Sequence, residues 1–204
     1  MKLVVISSPD TVKHEALLIA SMLEIGLDAF HLRKPDWTAA QHKQLLDQIP
    51  ESLHFKIVIH THYGLAEQYT LKGIHWPALK RQVPPAKACL PAVSRQARQP
   101  ISTSFHDLSE LVDPATYYEY CFISPVYDSI SKTGYPAKFN KKELQHTLSQ
   151  TSLNMIALGG ITVDRIQDCK ALGFSGVATL GAIWQADSPL ESFYQFHSKI
   201  NELL

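Results

Sequence analysis

Short apolar runs alternate with helix-like segments along this chain, and this alternation constrains its fold more than any other feature. Residues 3–6 form an apolar run that ends in a Ser-Ser-Pro-Asp turn. Ala16, Ile19 and Leu23 then recur at helical spacing. Further strands are predicted at residues 29–32, 56–59, 73–75, 101–104, 118–123, 154–158 and 176–180. Eight strand-then-helix units in series predict an α/β fold, a single (β/α)8 TIM barrel, with an open doubly wound sheet as the alternative.

Several predicted helices begin at a recognisable capping residue. Thr38 is a typical N-cap residue. Ser188 is followed by Pro189 at the first helical position and by Glu191 three residues after the cap, which is typical of a helix start. Besides the last helix after Ser188, helices are predicted at residues 38–48, 65–69, 107–112, 141–150 and 163–172, with one weak helix over residues 87–99 of an irregular stretch.

Composition and charge indicate one globular domain that covers residues 1–204. Hydrophobic residues make up 45% and charged residues 19% of the chain, which is enough apolar material for a buried core. The 19 basic side chains equal the 19 acidic ones, so no overall field draws the chain to nucleic acid or to an anionic membrane. A small molecule is therefore the expected partner.

The cysteines and the first residues of the chain favour a cytoplasmic location. Cys89, Cys121 and Cys169 are odd in number and form no C-x-x-C pair, so neither a disulfide framework nor a structural zinc site is predicted. The first apolar run is too short for a signal peptide or a membrane span.

Polar side chains follow most of the predicted strands, where the active face of such a barrel lies. They are His31, Arg33, Lys34, His60, Thr61, His62, His75, Ser104, His106, Ser129, Ser131 and Lys132. Any one histidine could belong to a solvent-facing rim, but five at one mouth favour a binding site.

Glycines follow the last two strands, as Gly159-Gly160 and as Gly181-Ala182. A glycine lets the backbone approach a ligand closely, and N–H groups near a helix start favour an anion. Barrels often hold a phosphate between these two loops. A phosphate site is predicted here, although either pair alone could be a simple turn.

Six motifs in this order resemble the thiamine phosphate synthase/TenI family over nearly the whole chain. They are FHLRK at 30–34, KGIH at 72–75, STSFH at 102–106, FISPVYDSISK at 122–132, ALGGIT at 157–162 and GVATLGAI at 176–183. The resemblance implies a thiamine-biosynthesis enzyme that binds a thiazole phosphate. It assigns the phosphate to Ser129, Ser131 and the backbones of Gly160, Gly181 and Ala182, and a second anionic group, a pyrophosphate in the synthases, to Arg33, Ser104 and Lys132.

Departures from the family pattern bear on which reaction is expected. Synthases join an aminopyrimidine diphosphate to a thiazole phosphate and release pyrophosphate, which needs Mg²⁺ held by carboxylates. The two family aspartates fall on Thr61 and near Lys80. The Gln and Asn of the family's pyrimidine site fall on His31 and His60. No cofactor is therefore expected, and Mg²⁺ only if the chain is a synthase.

TenI proteins lack the same acids and use histidine to move a proton in a thiazole tautomerisation, which suits a group with a pKa near neutrality. His106 matches one TenI histidine, whereas the second falls on Pro125. The resemblance thus implies a metal-independent, TenI-like tautomerase with His106 as the catalytic residue. Candidates for its partner are His31, His60, His62 and His75.

Three alternatives to the tautomerase stay open. The thiamine-phosphate synthase is the first. A zinc hydrolase is the second, since His60 and His62 would lie on the same side of a strand end. The third is a non-catalytic protein that binds thiazole or thiamine phosphate, because the binding motifs match the family better than the reactive ones.

Overall fold

The computed structural model describes residues 1–78, 101–111, 118–130, 134 and 136–203. The expected weak helix over residues 87–99, together with Lys80, Cys89, Ser131 and Lys132, lies outside these residues. No helix in the described part of the chain combines the length and the apolar character needed to cross a membrane.

Eight parallel strands close into one barrel in the order in which they occur along the chain, which confirms the predicted architecture. The strands are β1 (Lys2–Ile6), β2 (Ala29–Leu32), β3 (Ile57–Ile59), β4 (Gly73–Trp76), β5 (Ile101–Phe105), β6 (Tyr118–Ile123), β7 (Met155–Leu158) and β8 (Gly176–Thr179). The barrel closes because β1 pairs with both β2 and β8. All carboxyl ends of the strands therefore meet at one mouth.

The predicted helix starts are confirmed where capping residues indicated them. The described α-helices are α1 (Glu15–Ile25), α2 (Ala39–Leu46), α3 (Gly64–Gln68), α4 (Lys141–Gln150), α5 (Ile166–Leu172), α6 (Gly181–Trp184) and α7 (Pro189–Asn201). Thr38 and Gln41 form a capping box at the start of α2. The Ser188 side chain accepts a hydrogen bond from the Glu191 backbone N–H, with Pro189 in the first turn of α7.

Short elements differ from the sequence-based expectation. In place of an α-helix at 107–112 there is a 3₁₀ helix, Leu108–Leu111, which follows a turn in which Asp107 accepts hydrogen bonds from Ser109. The helix expected at 163–172 begins as a 3₁₀ helix, Val163–Arg165, before α5. The 3₁₀ helix Glu51–Lys56 and the four-residue α6 were not expected, because such short elements carry no detectable periodicity.

The barrel interior combines an apolar cluster with a group of polar side chains below the mouth. Its apolar residues are Val4, Ile6, Ala29, Tyr120, Phe122, Ile156 and Ala178. Side chains alternate along a strand, so His31 lies on the same inner face as Ala29 and closer to the carboxyl end of β2. His31, His75 and Ser102 are all buried. This polar layer forms the floor of the mouth.

Candidate functional site

A cavity of about 400 Å³ opens at the mouth of the barrel. The predicted site residues in its wall are Arg33, His60, Ser104, His106, Ser129, Gly159, Gly160, Gly181 and Ala182. His31 is fully buried and lies behind His60, to which it is hydrogen-bonded. Ser131 and Lys132 belong to the part of the chain that the structure does not describe. The loops after most strands thus converge on one cavity, as the sequence predicted.

Backbone atoms form much of the cavity wall after β7 and β8. Gly159 (φ +94°) and Gly160 (φ +65°) adopt the left-handed conformation that glycine tolerates best. Gly181 and Ala182 line the same end of the cavity and begin α6. Because three of these residues have no side chain, the backbone is accessible to a ligand. We call this region the glycine end.

Contacts with the loop after β6 hold Gly160 in place. A Cβ atom at Gly160 would lie 2.2 Å from the Asp128 carbonyl oxygen and 2.8 Å from the Tyr127 Cβ. Arg165 donates a hydrogen bond to the Gly160 carbonyl oxygen, and its guanidinium carbon lies 4.6 Å from the centre of the Tyr127 ring. Glycine is therefore required here by packing within the protein as well as by any ligand.

Imidazole rings form the wall across the barrel, after β3 and at the end of β4. His31 Nδ1 lies 2.9 Å from His60 Nε2, and His31 Nε2 lies 2.6 Å from the Tyr120 hydroxyl. The rings of His60 and His75 stack with centroids 4.2 Å apart and an interplanar angle of 17°. We call this region the imidazole end.

The three imidazoles are neutral at physiological pH. Burial, reinforced by the neighbouring His75, lowers the pKa of His31 and of His60 well below the usual value. Burial and the nearby Arg33 charge lower the pKa of His75 to about 3. Neutral rings offer one N–H donor and one nitrogen acceptor each. The imidazole end can therefore hydrogen-bond a polar ring or bind a metal ion.

His106 lies on the rim, directly after β5, and its side chain is exposed. Its Nδ1 is 3.1 Å from the Ser124 carbonyl oxygen, which can only accept a hydrogen bond. Ser124 Oγ also lies 3.3 Å from Nδ1. A proton on Nδ1 satisfies the carbonyl contact, and in that neutral tautomer Nε2 keeps its lone pair. This is the tautomer that a general base requires at Nε2.

The two cations after β2 have opposite environments. Arg33 is exposed and lines the cavity. Lys34 is fully buried, with its Nζ 2.8 Å from the Glu15 carboxylate and 2.7 Å from the Asp10 carbonyl oxygen. The Ser7 hydroxyl accepts a hydrogen bond from the Arg33 backbone N–H and donates one to its carbonyl oxygen. Lys34 thus anchors the loop, whereas Arg33 is presented to a ligand.

The described wall of the cavity does not fit a magnesium ion. Mg²⁺ prefers carboxylate and other oxygen ligands in an octahedral arrangement. No carboxylate lines the cavity among the residues that the structure describes. Thr61, which falls on a family aspartate, has its hydroxyl 3.4 Å from His42 Nε2 instead. The polar side chains in the described wall offer a metal ion only nitrogen atoms and hydroxyl oxygens.

The expected His60 and His62 pair for a zinc hydrolase is not formed. His62 has φ +50° and an exposed side chain, and its Nε2 lies 2.9 Å from the Trp37 carbonyl oxygen. The chain turns after β3, so His62 points away from His60 and the cavity. The zinc hydrolase alternative therefore has no support from the His60 and His62 pair.

Two residues of the imidazole end were absent from the predicted site, Ser102 and Tyr120. Ser102 Oγ lies 3.0 Å from His75 Nδ1. Both could have been found by strand alternation, because Ser102 is two residues before Ser104 and Tyr120 two before Phe122, on the inner face.

Comparison with known protein sequences places this chain among thiamine-phosphate synthases and their relatives. A model of the thiamine monophosphate synthase family, TMP-TENI, matches residues 3–183. The thiamine-phosphate synthase of Lactococcus lactis subsp. cremoris (strain MG1363) is 21% identical over 190 residues, which are 90% of this chain and 85% of that protein. The enzyme of that name from Leptospira biflexa is 23% identical over 177 residues, 82% of this chain and 81% of its own length.

Solved structures show the same likeness. The thiamine phosphate pyrophosphorylase of Bacteroides thetaiotaomicron superimposes with a TM-score of 0.80 at 29% identity, over 98% of both chains. That of Pyrococcus furiosus shares the fold, with a TM-score of 0.77 at 16% identity over 100% of this chain and 96% of that one. Since the family model spans residues 3–183, this chain belongs to the thiamine monophosphate synthase (TenI-related) family, whose members act in thiamine biosynthesis.

Proposed function

We propose that this chain is a thiamine-phosphate synthase, which joins a thiazole phosphate to an aminopyrimidine diphosphate and releases pyrophosphate. The observation that carries the proposal is a cavity with two chemically different ends, glycine backbone after β7 and β8 and imidazole rings at β3 and β4. A tautomerase, with one small substrate, would leave the imidazole end without a ligand. The names of the relatives also favour this alternative over the TenI-like tautomerase expected from the sequence.

In this proposal the glycine end holds the thiazole phosphate. The backbone N–H groups of Gly160 and Gly181 and the Ser129 hydroxyl donate hydrogen bonds to phosphate oxygens, the usual recognition of this anion by glycine loops. Ser131 and Lys132 follow Ser129 in the sequence. The family resemblance assigns Ser131 to this phosphate and Lys132 to the second anionic group. The thiazole ring then lies toward the middle of the cavity.

The imidazole end holds the aminopyrimidine diphosphate. The exposed Arg33 guanidinium offers paired N–H donors to the diphosphate, and Ser104 adds a hydroxyl. The neutral rings of His60 and His75 present donors and acceptors to the polar edge of the pyrimidine. As the bond to the pyrophosphate breaks, negative charge gathers on the leaving group, and Arg33 stabilises it.

Product formation tests the proposal. Purified protein given both substrates should form thiamine phosphate and pyrophosphate in equal amounts, and neither should form when one substrate is omitted. Product formation is measured with added Mg²⁺ and with EDTA, because the family reaction uses this ion and the described wall offers it no carboxylate. Binding of thiazole phosphate without any thiamine phosphate formation would overturn the synthase proposal.

Replacement of Arg33 should weaken binding at the imidazole end of the cavity and not at the glycine end. We expect Arg33→Gln to weaken binding of the aminopyrimidine diphosphate about 10-fold, since a charge-assisted hydrogen bond contributes about 1.5–3 kcal/mol in protected sites and less where solvent reaches it. The affinity for thiazole phosphate should be unchanged. Calorimetry with each substrate separately measures both effects. An equal loss for both ligands would contradict the two-ended arrangement.

A thiazole tautomerase is the second candidate, favoured by the Nδ1-protonated tautomer of His106. In that reaction Nε2 would take a proton from the thiazole ring carbon. Under this hypothesis His106→Asn should slow the reaction about 10²-fold or more, with the phosphate affinity nearly intact.

Deuterium exchange at the thiazole carbon, followed by NMR, measures this prediction. His146→Asn, at an exposed position of α4, serves as the control and should exchange like the wild type. Equal exchange rates for the wild type and the His106 variant would show that His106 only stabilises the rim of the cavity and does not transfer the proton.

A further inference from the structure

Three histidines meet at the floor of the cavity on neighbouring strands. His31 lies on β2, His60 directly follows β3 and His75 lies on β4, and each offers a ring nitrogen within 4.8 Å of the other two. His31 and His75 are buried and His60 is half-buried, and both His60 and His75 line the cavity. Adjacent parallel strands bring their inward side chains together at this level, so the cluster is part of the barrel itself.

Partners on the outer side of the cluster identify the nitrogens that face one another. His31 Nε2 is hydrogen-bonded to the Tyr120 hydroxyl at 2.6 Å, and His75 Nδ1 to Ser102 Oγ at 3.0 Å. His31 Nδ1 and His60 Nε2 face each other at 2.9 Å, whereas His75 Nε2 lies 3.3 Å from Ser104 Oγ and must give up that contact to bind an ion. Histidines that bind metals usually have the other ring nitrogen held by a partner of this kind.

We propose that His31, His60 and His75 bind one divalent transition-metal ion of the zinc class, with a further position open to the cavity. Neutral imidazoles suit Zn²⁺, Co²⁺ and Ni²⁺ and are poor ligands for Mg²⁺. Three protein ligands with an open position are typical of zinc sites that bind a water or substrate atom. This inference rests on the three histidines and not on the proposed reaction, in which His60 and His75 hydrogen-bond the aminopyrimidine; a bound ion would compete with that contact.

Binding requires the rings to reorient, because the nearly parallel planes of His60 and His75 direct their lone pairs side by side. His31 Nδ1 and His60 Nε2 are 2.9 Å apart as a hydrogen-bonded pair. Two nitrogens that are each about 2.0–2.1 Å from a tetrahedral zinc ion lie about 3.3–3.4 Å apart. The proton between them must move to an outer nitrogen, so that His31 donates to Tyr120. The stacked ring planes of His60 and His75 must also tilt toward the ion.

Cobalt binding to the full chain, produced without a histidine tag, tests the site. We expect one Co²⁺ per chain with the visible absorption of a four- or five-coordinate ion, displaced by Zn²⁺ and not by Mg²⁺. His60→Asn should reduce the affinity by more than the roughly 10–100-fold typical for loss of an outer partner. His60 is the most exposed of the three histidines, so its replacement disturbs the barrel least.

Two further variants complete the test. Tyr120→Phe keeps all three ligands and should weaken Co²⁺ binding about 10-fold by releasing His31. His62→Gln is the matched control, because His62 follows β3 closely but binds the Trp37 carbonyl outside the cavity, and it should bind Co²⁺ like the wild type. Absence of Co²⁺ binding by the wild type, or equal affinity in wild type and His60→Asn, would overturn the proposal.

Discussion

Replacement of Gly160 by valine is expected to abolish measurable binding of thiazole phosphate and to lower the free energy of unfolding by about 2–5 kcal/mol. Gly160 has φ +65°, which is unfavourable for a β-branched residue. The added Cβ would also lie 2.2 Å from the Asp128 carbonyl oxygen. The new side chain collides with the loop after β6 before it reaches the cavity, so the backbone N–H groups that we propose for phosphate binding must move.

Alanine variants separate backbone strain from this collision. Gly173 has φ +100° at the end of α5, but a Cβ atom there would meet only Leu148 Cβ, at an ordinary 3.8 Å. We expect Gly173→Ala to cost about 1–2 kcal/mol and to leave binding intact. Gly160→Ala should cost more and weaken binding at least tenfold. Urea unfolding and calorimetry measure both, and wild-type affinity in Gly160→Ala would reject the phosphate site at the glycine end.

Replacement of Lys34 by methionine is expected to lower the free energy of unfolding by about 3–5 kcal/mol, because it leaves the Glu15 carboxylate buried without its partner. Both side chains are almost fully buried, and Lys34 Nζ lies 2.8 Å from Glu15. Burial already raises the pKa of Glu15, and Lys34 opposes that rise. Without Lys34 the pKa rises further, and the variant can relieve the cost by binding a proton. A raised pKa gives stability that is lost as the pH increases, so the destabilisation should grow from mildly acidic to mildly alkaline pH.

The double variant Glu15→Gln/Lys34→Met is the control for the buried charge. Both charges are absent in it, so it should recover most of the lost stability. Denaturant midpoints of the wild type, the two single variants and the double variant give the coupling between the side chains. If the double variant is no more stable than Lys34→Met, packing of the Lys34 side chain and not its charge explains the effect.

Much of the fold could be predicted because its signals are local and repeated. The strand at 118–123 and the helix at 141–150 occur where their residue patterns indicated. Thr38 caps α2 through its own hydroxyl, which needs no information from the rest of the chain. Short 3₁₀ elements were missed because three to six residues do not complete a periodic pattern.

The candidate site could be predicted in part, because the residues that follow parallel strands lie at the same end of a barrel. The sequence could not distinguish Arg33 from Lys34, because neighbouring residues gave the same signal and only the buried Glu15 separates their roles. It gave His31 and His60 as separate candidates for catalysis. In the structure His31 lies behind His60, and the Tyr120 hydroxyl holds His31. This arrangement depends on the register between distant strands, which a sequence pattern does not show.

A crystal structure of the protein with thiamine phosphate, the product of the proposed reaction, tests the central claim most directly. We predict that the phosphate accepts hydrogen bonds from the backbone N–H groups of Gly160 and Gly181, with the aminopyrimidine ring against His60 and His75. A phosphate bound at Arg33 with the pyrimidine at the glycine end, or a ligand outside this cavity, would contradict the account.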